Sequence, residues 1–87
     1  MPMYVVYILF SSSLDNYYIG FTGEALEIRL SKHLANHRGF TAKAKDWVIA
    51  FVESFPSKEA AMIREKQLKS WKSKIRIREL INRSSTE

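Results

Sequence analysis

The chain reads as a small α/β (α+β) domain: a three-stranded, at least partly antiparallel sheet flanked by three helices, in the order β-β-α-β-α-α. Three observations predict this. Tyr4–Phe10, Tyr17–Thr22 and Trp47–Phe55 are short runs rich in aromatic and β-branched residues, as strands are. The stretches between and after them change to a helical spacing of apolar residues. The chain has 87 residues, 46% of them apolar, which suits one folded core and one domain.

The first strand, YVVYILF, is almost wholly apolar. Ser11–Asn16 is polar and contains Asp15-Asn16, a turn signal, so YYIGFT should return beside the first strand as a hairpin. Gly23 lets the chain turn out of it. From about Glu24 to Asn36, Leu26, Leu30 and Leu34 recur every fourth residue, with His33 and His37 near the same stripe. That spacing predicts an amphipathic helix, with acids in its first turns, His37-Arg38 near its end and Gly39 as its stop. Phe40–Asp46 is a lysine-bearing loop, and WVIAFVESF is the third strand, whose pairing the sequence does not specify. Pro56 ends it. Ser57 suits the N-cap of a second helix, Lys58–Trp71, with Ala60, Ala61, Ile63, Leu68 and Trp71 as its apolar arc. Ser73 suits the cap of a third, Lys74–Asn82, with Ile77, Leu80 and Ile81 facing inward. Residues 1–83 form the expected domain and 84–87 an expected disordered tail.

Cysteine is absent, which excludes disulfides and thiolate zinc sites. No apolar run approaches the roughly 20 residues of a membrane-spanning helix. There is no basic segment followed by an apolar run and a cleavage site, so a cytoplasmic location is expected. The net charge of +5 is unevenly placed. Residues 1–56 are neutral overall, whereas residues 57–83 carry nine Lys/Arg against three Asp/Glu, an excess of +6. Such a basic region favours an anionic partner.

No phosphate-cradling glycine loop and no Ser-His-Asp pattern is present. The carboxylates are scattered, which does not fit a two-metal phosphodiesterase site. His33 and His37 share a helix face, but no glutamate lies between them, so structural roles suit them better than zinc. Tyr7 and Tyr18 fall on adjacent strands and can share one face of the sheet; strands are also rich in tyrosine for ordinary reasons.

Val5-Val6-Tyr7, then ten residues, then Tyr18-Ile19-Gly20 resembles the paired signature of the GIY-YIG nuclease superfamily. Arg29-Leu30-Ser31-Lys32-His33 resembles that family's first-helix segment, and Glu65 resembles its metal-binding glutamate. The Thr41–Trp47 loop and the Glu65–Trp71 run are similar to short, stand-alone bacterial members related to the N-terminal domain of the excision-repair nuclease. The resemblance covers roughly residues 3 to 81. Val5 stands where the first motif often has glycine, and Asn82, the only asparagine after Glu65, is not assigned to the site.

The resemblance implies a metal-dependent endonuclease acting on nucleic acid, DNA before RNA, with low sequence specificity. It implies Tyr7, Tyr18, Arg29, His33 and Glu65 as catalytic residues that converge on one concave patch. Arg29 is always cationic and its planar fork can hold two phosphate oxygens. Glu65 alone could hold one hard divalent ion, Mg²⁺ or Mn²⁺, with waters completing its shell. Tyr7 is the implied general base, which requires Arg29, the metal or a lysine to lower its pKa from about 10. Tyr18 would bond water or phosphate. His33 would orient a phosphate, share in proton transfer, or only pack. Lys43, Lys45, Lys66, Lys69 and Lys72 are expected on the nucleic-acid backbone, and the whole basic run of 57–83 could track it. A non-cutting nucleic-acid or protein binding module on the same scaffold is the alternative.

Overall fold

The structure, a computed structural model, describes residues 3–34 and 43–84, with His33 and Ser84 described by backbone alone. The elements run β1 (Tyr4–Ser11), β2 (Asn16–Thr22), α1 (Leu26–Leu34), β3 (Val48–Phe55), α2 (Lys58–Ser70) and α3 (Lys74–Ser84). This is the expected α+β order. Helix α3 takes in Ser84, the first residue of the expected tail; the remaining tail residues, and His37 with the expected end of the first helix, lie outside the described residues.

The sheet order is β2-β1-β3, and both pairings are antiparallel. The most apolar strand is therefore central. Val6, Tyr7, Ile8 and Leu9 have no exposed surface, because β1 is paired on both edges and covered on both faces. Alternation along β1 divides the core in two. Val6 and Ile8 pack with Phe51, Ala61 and Leu68 of α2, and Ile77 of α3. Tyr7 and Leu9 pack on the other face with Ala44, Trp47 and the leucine stripe Leu26, Leu30 and Leu34 of α1. The leucine stripe of α1, and Ala61 with Leu68 on α2, pack as their spacing implies. Ile63 does not: it is 68% exposed, because only the narrow Ala61–Leu68 stripe of α2 meets the sheet.

Local capping explains the helix ends. The Ser57 hydroxyl accepts from Ala60 N at 3.2 Å and Ser73 Oγ from Arg76 N at 3.2 Å, as the sequence predicts. Helix α1 begins two residues later than expected, because the Thr22 hydroxyl accepts from Glu24 N at 3.1 Å and holds Gly23-Glu24 in a bend. Helix α2 is stopped by Lys72 in the left-handed region, φ 49°.

One tie was not legible in the sequence. The Asp46 carboxylate accepts from Ser11 Oγ (2.6 Å), Ser12 Oγ (3.2 Å), Ser13 N (2.8 Å) and Ser13 Oγ (3.1 Å). The loop before β3 is thereby fastened to the β1–β2 turn. The hydroxyl of Ser11, then the amide of Ser13, hold the Asp46 carboxyl down at about 2.

Candidate active site

The site begins with a cross-strand pair. Tyr7 lies opposite Gly20 in the β1–β2 register, and its ring tip rests over the glycine. A Cβ at Gly20 would stand 2.6 Å from the Tyr7 oxygen and 3.2 Å from the Tyr18 ring, so only glycine lets the tyrosine lie there. Tyr18 faces the same side, its ring centroid 6.4 Å from that of Tyr7. Helix α1 packs on this face by its leucines and presents Arg29, whose Nε donates to the Tyr7 hydroxyl oxygen at 3.3 Å. The far end of the guanidinium meets Glu24 only at 3.9 Å, and the side chain is 36% exposed. Glu24 is itself gripped by Lys32, at 3.1 Å to each carboxylate oxygen.

The expected lowering of Tyr7 is overridden. Burial raises its pKa most, the hydrogen bond and charge of Arg29 lower it, and the nearby Tyr18 and Glu65 raise it again. The balance leaves Tyr7 above the ordinary 10. The same contact with Tyr7 stabilises the charged form of Arg29, more than partial burial weakens it.

Glu65 comes from the other side of the sheet. It lies on α2 between Ala61 and Leu68, which pack against the Val6–Ile8 face, and its side chain is 17% exposed. The residues expected on one concave patch therefore come from two helix layers. Tyr7, Tyr18 and Arg29 cluster under α1, while Glu65 belongs to the opposite helix layer, and its charge still reaches the Tyr7 phenol. Beside both groups runs the outer edge of β2. A hollow of about 300 Å³ is lined there by Tyr18 from one face and by Tyr17, Ile19 and Lys69 from the other. Lys69 Nζ pairs with Glu65 at 3.3 Å. The position of the His33 side chain lies outside the described residues.

Among the described residues, no three His, Asp or Glu side chains converge. Glu65 and the tyrosine hydroxyls offer oxygen donors only. Such a donor set fits a hard divalent ion that keeps most of its waters.

The expected backbone lysines separate into groups. Lys69 and Lys72 line a groove beside β2. Lys66 lies about 100° round the helix from Glu65. Lys43 and Lys45 stand in the loop before β3, where Lys45 Nζ donates to the carbonyl of Leu34 at the end of α1 (2.9 Å). The basic run of 57–83 is not a uniform phosphate track either. Arg64 bonds Glu53 (2.8 Å) and Gln67 (2.7 Å), Arg76 stacks 4.4 Å over Trp71, and Arg78 donates to the Tyr17 hydroxyl (3.3 Å). These three arginines fasten α2 and α3 to the sheet and to each other. Motif order and spacing assign no role to Tyr17, Glu24 or Asp46. Tyr17 adjoins the second tyrosine motif, which was a usable signal; the partners of Glu24 and Asp46 depend on folding.

The family model described as the GIY-YIG catalytic domain matches residues 3–79. No curated protein and no solved structure matches the chain.

Proposed function

From the premise that the chain belongs to the GIY-YIG catalytic domain family, we propose that it is a metal-dependent endonuclease that hydrolyses phosphodiester bonds, in DNA before RNA, with low sequence specificity. The observation that carries this is the Arg29–Tyr7 hydrogen bond, seated over Gly20 of the edge strand β2 and within electrostatic reach of the largely enclosed Glu65. The likeness to the N-terminal domain of the excision-repair nuclease makes DNA repair the proposed setting and the cytoplasm the proposed location.

In hydrolysis, a water oxygen bonds to phosphorus, the bond to the leaving nucleoside oxygen breaks, and one water proton must be accepted. The Nε of Arg29 stays on Tyr7 while its two terminal nitrogens, held among the described residues by the long contact to Glu24, turn to the non-bridging phosphate oxygens. The arriving phosphate takes the place of the Glu24 carboxylate. Tyr7, once ionised, accepts the water proton, and Tyr18, half-buried at the edge, orients that water or the phosphate. Glu65 would hold a single Mg²⁺ or Mn²⁺, which when bound stabilises charge on the transferring phosphoryl group and the leaving oxygen. Lys69 must then leave Glu65, and the phosphate backbone is its natural new partner.

A second function draws on one observation. Tyr7 is shut off from solvent, which also suits a packing residue in a module that binds nucleic acid or a protein without cutting. Nicking of a panel of structured DNA substrates, with and without Mg²⁺ or Mn²⁺, separates the two: the endonuclease cuts only with the metal, and the binding module cuts nothing.

A further inference from the structure

The groove beside β2 is more specific than a basic surface. It has a volume of about 270 Å³ and lies between the sheet edge and the α2–α3 junction. One wall is Tyr17 and Ile19 of β2, and its apolar floor includes Leu68. Its rim carries Lys69, Lys72 and Lys74, and no carboxylate lines it. Lys72 makes no ion pair among the described residues, while Lys74 Nζ donates to the neutral carbonyl of Asp15 at 2.7 Å and keeps its charge uncompensated by that bond. Tyr17 is held for stacking: its ring packs on Phe10 with centroids 5.0 Å apart, and its hydroxyl accepts from Arg78. The groove opens toward the edge hollow, since Tyr17, Ile19 and Lys69 line both.

An aromatic wall with an apolar floor suits the face of a base, and a lysine rim suits the phosphates on either side of it. A base inside a duplex has both faces covered by its stacked neighbours, and the space, about 270 Å³, falls just below the ~300 Å³ at which pockets for larger ligands begin. We propose that this groove binds an unpaired nucleotide, stacked on Tyr17 with its flanking phosphates on Lys69, Lys72 and Lys74, so that the substrate is a strand with a single-stranded segment next to the cut. This rests on the nucleic-acid reading of the site and names the form of its substrate. Lys69 belongs to both places, so a strand seated in the groove draws it from Glu65 at the step when the carboxylate is needed.

The test is binding without cleavage. The Glu65→Gln protein, in EDTA, is titrated by fluorescence anisotropy against a labelled single-stranded oligodeoxynucleotide, a duplex with a single-stranded overhang, and a blunt duplex of equal charge. The overhang and the single strand should bind at least about tenfold more tightly than the blunt duplex. Tyr17→Leu keeps an apolar side chain but removes the ring. It should weaken the single-stranded probes by about 5- to 150-fold, the range for losing one stacked base, and leave the blunt duplex unchanged. An oligonucleotide with abasic sites should show the same loss on unaltered Tyr17, which guards against a variant that folds poorly. Equal affinity for the three probes, or no loss on abasic substitution, overturns the groove assignment while leaving the nuclease reading standing. No binding to any probe at low salt overturns both.

Discussion

Tyr7 is placed by three separate features: close packing over Gly20, a hydrogen bond from Arg29, and burial in the central strand. The last dominates its chemistry. A phenol raised above 10 is less than about 0.1% ionised at pH 7. If Tyr7 takes the water proton, cleavage should climb about tenfold per pH unit from neutrality to about pH 10, and Tyr7→Phe should lose ~10²–10⁴-fold in rate together with that slope. The same shift bears on stability. A folded value above the unfolded one gives a contribution present below about pH 10 and lost as pH rises through the folded value. Tyr7→Phe should therefore flatten the alkaline fall in stability measured by denaturant titration; a wild-type rate that levels off near pH 7 contradicts the assignment. The partners of this residue were legible through motif order, since Arg29 is 22 positions away. Its burial was not. Alternation along β1 puts Tyr7 on one face, but only the strand order shows that both faces of β1 are closed.

Elements set the site by where they end and what they cover. The N-caps Ser57 and Ser73 and the leucine stripe of α1 are local signals, and each behaves as its spacing implies. The pairing of β3, the exposure of Ile63 and the Asp46 clamp are long-range outcomes. Three strands offer α2 a contact only one stripe wide, so an apolar arc drawn on the isolated helix overstates the buried face. The Asp46 clamp spans 33 to 35 positions and predicts a pH effect. Its carboxyl, at about 2 when folded against an ordinary 3.8, adds stability that is fully present above about pH 4 and lost as pH falls through about 2. Asp46→Asn should thus be less stable than the parent at pH 6, with the gap closing between pH 4 and pH 2 in urea titrations. A gap independent of pH would mean that the serines gain nothing from the charge.

Across the whole molecule, the basic excess of residues 57–83 is divided between holding the fold and holding a ligand. Arg64, Arg76 and Arg78 are tied to Glu53, Trp71 and Tyr17, which leaves the groove lysines as the concentrated phosphate contact. Composition revealed the excess and could not reveal that division. The salt dependence of oligonucleotide binding should then show a log–log slope of magnitude about 2–3, as for three phosphates, and not the ~6 or more of a run acting throughout its length. Among the described residues no helix is long and apolar enough to cross a membrane. The family order of tyrosines, arginine and glutamate was legible before folding; that Glu65 belongs to the helix layer opposite Tyr7, Tyr18 and Arg29 was not.

The most direct test of the central claim is the metal-dependent cleavage rate of Glu65→Gln beside Glu59→Gln on the same helix. The change at Glu65 is nearly isosteric and removes a carboxylate that reaches Tyr7 electrostatically. Cleavage should be abolished in Glu65→Gln, with folding and oligonucleotide binding retained, and Glu59→Gln should cut as the parent does. Glu65→Gln cutting at the parent rate, with Mg²⁺ still required, would contradict the account: the chain would then share the family's fold and carry its chemistry elsewhere.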